Sequence, residues 1–545
     1  MKVQVVQQQN NKKVPQFKGG ADIALRFLAT NQGVGANLTD LSFMVIPRVA
    51  TDAKRGPDAC LETTRREASG TFNHSMIGVY GGAAGAVIAT LMGINKKYGV
   101  NSNAIFAAPE TINILAENKA NQIKNKKSQL DYLKETFSNL KAYNPTSKVK
   151  QVDNEGFVKL SDKTIEEVSQ IINEALDGNI GYNTWNDKKS SNSVYVVINK
   201  ILGDTGAESK YILESVDKSS SSRTSLKTLL EDIYKVSEAF NKENVKKAFV
   251  EQVEQGKTIK GNAFINTFSK FMKSRAAIGV FIGTAIGMSI QPLNIYLTKL
   301  KTGSDGFVGV EGRSKDDSTG FKVLKAGAAA AFGGLTMWTL GSGFKGLMDK
   351  MAFKGMLPTI SQLKGIYGLT IISRLIAARD KDELRESLTK DTLGFLSWLV
   401  LGDVVNRITA ESLDKSVMNR TKEVANKGFF TRIAKSSLKT RDEILIEALA
   451  SKNIKTVKEE GGKVIAKTFN EMLKDLDKLP EELRKSTKKR LGTLNKAQLA
   501  GYAFSGLVLG LGIPNLNIYI TNKLDKKRKA KLAEQQAQQP QFAKA

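Results

Sequence analysis

Hydrophobic positions along this chain recur mainly at spacings of three and four, and period-two alternation is scarce. "TSLKTLLEDIYKVSEAFNKENVKKAFVEQVEQ" sets Leu226, Leu229, Leu230, Ile233, Val236 and Phe240 on one stripe behind the Ser-rich breaker "KSSSSRTS", which predicts an amphipathic helix. "PETINILAENKANQIKNKKSQLDYLKETFSNLKAY" and "DKTIEEVSQIINEAL" carry the same stripe, whereas "NSVYVVINKIL" fits either a strand or a buried helix. Residues 95–275 therefore read as a polar, mainly helical module.

Against this background stand four long runs without a charged residue, at 76–94, 276–298, 326–344 and 497–522. Each approaches or exceeds the roughly 20 residues that cross a bilayer. Shorter apolar stretches lie near 365–377 and 393–405. The runs are rich in Gly and Ala, which add little transfer energy, so spacing carries the membrane reading more than hydropathy does. Gly78-Gly82-Ala86, Gly81-Gly85-Ala89, Gly283-Gly287 and Gly506-Gly510 are small-xxx-small series, by which helices in lipid bring their backbones together.

Two of the runs end alike, in "PLNIYLTKL" from Pro292 and "NLNIYITNKL" from Asn515. Aligned without gaps, Phe281–Thr298 and Phe504–Thr521 agree at half their positions. A second, weaker pair occurs in the same order: "ETTRREASG" from Glu62 and "ESLTKDTLG" from Glu386, each behind an Arg-led segment beginning at Arg48 or Arg374 and each ahead of an apolar run. The pattern predicts a tandem duplication. A tail at 1–37 precedes a first half at 38–300, a connector at 301–360 follows, then a second half at 361–524 and a basic, Gln-rich disordered tail at 525–545. Pro292 and Pro514 are expected to interrupt the hydrogen-bond ladder near the helix exits. Asn294, Tyr296, Asn517 and Tyr519 become equivalent positions, expected at the membrane interface where helices end. Whether the halves run parallel or inverted stays open, because it depends on how many intervening segments cross.

Charge narrows the partners. With 82 Lys and Arg against 54 Asp and Glu the formal charge is +28, suited to a polyanion. The densest basic stretch, Lys526, Lys527, Arg528, Lys529 and Lys531, directly follows the last apolar run, which predicts a cytoplasmic tail drawn to anionic headgroups. It has no interleaved aromatics for base stacking, so nucleic acid is a weaker candidate.

Candidate chemistry is sparse. One cysteine, Cys60, allows no internal disulfide and no cysteine zinc site, and one histidine, His74, makes a histidine metal site or an imidazole pair untenable. No cofactor is implied. Gly256-Lys257-Thr258 lacks the earlier glycine and the strand of a phosphate-binding loop. Asp403, behind an apolar run, is a candidate intramembrane ion site, although Arg407 one turn later can pair with it. Glu62 with Arg66, and Glu386 with Lys390, are spaced for pairs along one helix face, and their presence in both copies suggests a role in packing the halves together.

The expectation is an all-α, multi-helix, internally duplicated protein with multi-pass membrane helices and polar helical insertions. Its expected role is a non-enzymatic, membrane-integrated structural, scaffolding or membrane-remodelling one, with the bilayer as partner and homo-oligomers through small-residue helix faces. Two alternatives are a transporter or channel with a site between the halves, and a soluble basic helical protein binding an acidic partner or nucleic acid.

Overall fold

The structure, a computed structural model, describes residues 40–538 apart from 146, 148–149, 179–180, 208–209, 217, 309, 311–313, 342–350, 354–358 and 398–400, together with residues 25 and 38. The expected N-terminal tail at 1–37 lies almost wholly outside the described residues, as do 539–545. The protein is 74% helical with little sheet. In chain order the helices used below are α1 (Ile46–Asp52), α2 (Pro57–Ser75), α3 (Ile77–Leu91), α4 (Pro109–Lys124), α5 (Gln129–Ser138), α6 (Asp162–Asp177), α7 (Val194–Thr205), α8 (Leu226–Phe240), α9 (Glu243–Glu254), α10 (Ala263–Thr302), α11 (Thr319–Leu340), α12 (Ile360–Ala377), α13 (Lys381–Leu396), α14 (Gly402–Leu413), α15 (Arg441–Ala450), α16 (Glu481–Ser505) and α17 (Ile513–Gln538).

The polar module forms around the stripes that the periodicity marks. Leu226, Leu229, Leu230, Ile233 and Val236 of α8 are fully buried, and the helix starts at Ser225, whose hydroxyl accepts from Thr228 N. The long segment from Pro109 breaks instead of running on, because Ser128 and Asp131 build a capping box that begins α5. After α5 the chain turns into β1 (Leu140–Tyr143), which joins β2 (Phe157–Lys159), β3 (Tyr211–Glu214) and β4 (Ser221–Thr224) in an antiparallel sheet of order β2-β1-β3-β4. "NSVYVVINKIL" is helix α7, with Val194, Val197 and Ile201 fully buried. The core does not stop at the module: residues from α14, α15 and α16, among them Ala410, Leu445 and Leu491, belong to the same apolar cluster. Asn199 Nδ2 donates to Thr456 O at 2.9 Å and Thr456 Oγ1 donates to Asn199 O at 3.2 Å, tying the two regions directly.

Two long helices leave this core. Helix α10 is nucleated by Asn262, whose side chain accepts from Phe264 N and Ile265 N. Its first turns bury Phe264, Phe268 and Phe271 in the module, and its charge-free stretch then runs 276–298, about 34 Å at 1.5 Å per residue. It continues through Pro292 and ends at Gly303, held at φ 71°. Helix α16 likewise buries Leu491, Leu494 and Ala497 before becoming apolar, passes through a π-helical turn at Gly506–Gly512 and resumes as α17 at Pro514's first turn. The basic stretch expected in a disordered tail is helical to Gln538.

Among the described residues, three helices are long and apolar enough to cross a membrane: α10, α11 and the run Glu481–Gln535. A fourth span results if α2 and α3, bent by 51° at their junction, count as one. Their outward faces are bare of packing: Leu91 is 81% exposed, Phe281 70%, Trp338 71% and Leu507 65%. Such a set of large apolar side chains in the open marks an interaction surface, compatible with a membrane location.

Candidate functional site: a buried ion-pair clasp

Helices α2 and α13 lie where the two long helices end their apolar stretches. The start of α2 is set by Gly56, at φ 114°, followed by Pro57 in the first turn. The start of α13 is set by Asp380, which accepts from Asp382 N and Glu383 N. Each helix is pinned to a long helix by an asparagine: Asn294 Nδ2 donates to Glu62 O at 2.9 Å, and Asn517 Nδ2 donates to Glu386 O at 3.1 Å. A threonine one turn further along each long helix accepts a second bond, Arg65 NH2 to Thr298 Oγ1 and Arg385 NH2 to Thr521 Oγ1. Thr521 also donates to the Glu386 carboxylate.

The glutamates so placed do not pair along their own helices. Glu62 takes a two-pronged bond from Arg379, at 2.6 and 3.2 Å, and Glu386 takes one from Arg55, at 2.6 and 2.8 Å. The i, i+4 pairings expected from the sequence, Glu62 with Arg66 and Glu386 with Lys390, are replaced by pairs crossing between residues 317 and 331 apart. Two-pronged guanidinium–carboxylate geometry is the stronger arrangement, and it wins here over the flexible helical pair. Arg379 is held further by Glu383, Nε to Oε2 at 2.9 Å. The ring of Phe307, itself buried, lies 5.8 Å from both the Arg55 and the Arg379 guanidinium and closes over the crossed pairs.

Deeper in, Glu67 is ringed by four cations: Arg48 NH1 and Arg66 Nε at 3.1 Å, Arg374 NH1 at 3.6 Å and Lys390 Nζ at 3.7 Å. Asp391 takes Arg374 at 3.3 Å and Arg48 at 3.9 Å. Asp40 accepts from Thr71 Oγ1 beside them. Glycines let the guanidiniums in, since a Cβ on Gly70 would stand 3.4 Å from Arg374 NH2 and one on Gly394 2.8 Å from Arg48 NH2. Ser373 Oγ donates to Met288 O and Asn73 Nδ2 to Gly283 O, which sets this layer alongside the charge-free run of α10. Between the outer and inner layers is a cavity of about 20 Å³ whose charged lining is Asp52, Arg55, Glu62, Arg66, Glu383, Glu386 and Lys390, with Phe307 beside them.

The other residues marked by the sequence fall into place around the clasp. Gly283, Gly287, Gly506 and Gly510 are close-approach positions: a Cβ on Gly287 would fall on Thr370 Oγ1, and one on Gly510 would lie 3.0 Å from Pro47 Cγ. In α3 the contact face is Gly81 and Gly85, while Gly82 meets nothing within 4 Å and Gly78 is half-buried. Asn294 and Asn517 point inward, and Tyr296 and Tyr519 point out, 57% and 63% exposed. Asp403 is exposed and pairs with Arg407 at 2.9 Å, whose NH1 also donates to Ile433 O. Lys526, Lys527, Lys529 and Lys531 are exposed on α17, and Arg528 pairs with Asp525. His74 is buried edge-on to the Tyr367 ring, 5.0 Å between centroids. No group of three or more His, Cys, Asp or Glu side chains among the described residues could hold a metal.

Sequence reasoning missed Arg55, Arg379 and Glu383 as members of the site. A signal was present, since Arg55 and Arg379 each stand seven residues ahead of the glutamate of their own segment. No family model matches the chain, and neither a curated protein nor a solved structure matches it.

Proposed function

We propose that this protein is a non-enzymatic, membrane-integrated scaffold made of two diverged halves that clasp each other at bilayer depth and hold a helical module against one membrane face. The observation that carries the reading is the exchange of partners, Arg55 with Glu386 and Arg379 with Glu62. Ionisable groups alongside an apolar span are expensive and persist where they hold or move something. A tandem origin is supported by the matching bonds of Asn294 and Asn517. On this reading the basic stretch of α17 is cytoplasmic, attracted to anionic headgroups, and the module lies on the opposite face. Small-residue faces left open, such as that of Gly82, offer contact between copies.

The test is an alkaline wash of membranes from cells expressing the full chain. Retention in the pellet is expected. Release into the supernatant would sink the membrane reading and favour a soluble basic protein that binds an acidic partner or nucleic acid through salt-sensitive contacts.

A second reading, a transporter or channel, is favoured by the polar cavity between the halves under Phe307. Crossed ion pairs closing over a cavity would then be a gate in its shut state. Proteoliposome flux of small charged solutes separates the two, since the scaffold gives none with or without the Arg379→Gln substitution.

A further inference from the structure

One exposed aromatic pair stands apart from both the long apolar helices and the clasp. The short helix Phe429–Lys435 opens with Phe429 and Phe430, 39% and 84% exposed, their rings edge to face at 5.6 Å between centroids. The backbone that carries them is tied down. Arg432 donates from NH1 to Lys427 O at 2.9 Å and from Nε to Glu411 Oε1 at 3.0 Å, and Arg407 NH1 of α14 donates to Ile433 O at 2.5 Å and to Ala434 O at 3.2 Å. The rings are thus displayed to solvent on a fixed backbone, the mark of a surface that meets a partner.

The same ties fix their depth. A Cβ on Gly501 would fall on Asn406 Oδ1, and one on Gly402 would lie 3.5 Å from Ser505 Oγ, so α14 runs back along α16. Its far end reaches the module core at Ala410, which shares a cluster with Leu491, Leu494 and Ala497. Arg407 and Glu411, the residues that hold the short helix, therefore stand level with the turn of α16 where Lys496 gives way to the charge-free run 497–522. Gly501 itself is only about 6 Å into that run at 1.5 Å per residue. With α16 across a bilayer this is the level of the headgroups, where aromatic side chains are favoured.

Charge selects the occupant. The acidic side chains of α14 and of residues 418–440 are all engaged: Glu411 by Arg420 and Arg432, Asp403 by Arg407, and Glu423 by Lys427. Lys422 and Lys435 are exposed and have no ion pair among the described residues. We propose that Phe429 and Phe430 form an interfacial membrane anchor, an inference that rests on the reading of α16 as a span: the two rings enter the boundary between headgroups and acyl chains, and Lys422 and Lys435 face anionic headgroups. The anchor seats the module on the membrane through a segment that does not itself cross. A protein partner, the other possible occupant, would require no particular depth.

The experiment uses the full chain with Cys60→Ser, reconstituted in phosphatidylcholine vesicles with or without phosphatidylglycerol, and an environment-sensitive fluorophore on a single cysteine. Phe430→Cys should give blue-shifted emission that lipids spin-labelled near the headgroup quench. Lys452→Cys should give neither, since Lys452 is exposed beyond the far end of α15, whose first residue, Arg441, binds Asn495 and Gln498 of α16. Ala434→Cys, exposed on the same short helix, repeats the measurement with both rings intact. Phe281→Cys, in the charge-free run of α10, reports the membrane reading separately. Quenching at residue 281 with none at 430 or 434 overturns the anchor, leaves the scaffold reading standing and gives the pair to a protein partner. Quenching at none of the three overturns both. Phosphatidylglycerol should strengthen quenching at residue 430, and Lys422→Gln with Lys435→Gln should remove that gain; equal quenching in both vesicles overturns the headgroup assignment.

Discussion

The module core and the clasp are two solutions to holding distant parts of one chain together. In the core, Leu226, Leu229, Val236, Phe249 and Phe264 are fully buried, and the attraction between α8, α9 and α10 is non-directional burial of apolar surface. In the clasp, α2 and α13 are joined by named pairs with fixed geometry, Arg379 on Glu62 and Arg55 on Glu386. Apolar packing tolerates repacking at similar volume, whereas a two-pronged guanidinium bond accepts one register only. The comparison teaches that the chain uses burial where it needs mass and charge where it needs registration between α2 and α13. It also implies different modes of failure, one graded and one abrupt.

The sharpest way to break the comparison is to strand one charge. Glu62→Ala leaves Arg379 with half its acceptors in a buried place, and a loss of about 3–5 kcal/mol is expected in denaturant unfolding. Exchange of the pair, Glu62→Arg with Arg379→Glu, should recover part of that loss, and no recovery would show that surroundings rather than the pair hold the register. In the core, Leu229→Ala should cost about 2–5 kcal/mol, while Leu229→Met should cost under about 1.5 kcal/mol, the graded response expected of packing. Next come the glycines: a Cβ on Gly279 would stand 2.9 Å from Gly81 Cα, so Gly279→Ala should destabilise by about 1–3 kcal/mol, against no loss or a slight gain for Gly82→Ala in open space.

The smallest expected effect concerns a charge that the core holds without a clasp. Burial raises the carboxyl of Asp232 well above its ordinary 3.8. The folded protein thus keeps that proton at pH values where the unfolded chain has lost it, so the contribution of Asp232 is best at low pH and worsens as pH rises past 3.8. Asp232→Asn should therefore stabilise the protein at pH 7 and make no difference near pH 3. Equal unfolding midpoints at pH 7 would mean that the carboxylate finds solvation the static structure does not show.

Local periodicity revealed what local forces decide. The stripes of α6 and α8 and the charge-free runs of α10 and α11 were legible, because each follows from a repeat within a few turns, whereas the one helix expected across 226–254 divides into α8 and α9. The full length of α10 was not, since its amphipathic start at Ala263 and its apolar stretch obey different patterns although one helix carries both. The sheet was also hidden: β1 to β4 have three or four residues each, too short for alternation to register. At the site, the spacing of Glu62 and Arg66 was visible while the true partner of Glu62, Arg379, 317 residues away, was not. Sequence spacing reports what can meet along a helix, and burial between helices chooses otherwise.

The crossed pairs also impose a timetable. Arg55 must wait for Glu386, 331 residues later in synthesis, and Glu62 for Arg379, 317 later. At 5–20 residues per second that delay is about 15–65 s, during which the nascent first half carries unmatched charges that resist leaving water. The module core waits longer still for Leu491, Leu494 and Ala497, so neither joint is complete until the late segments of the chain arrive.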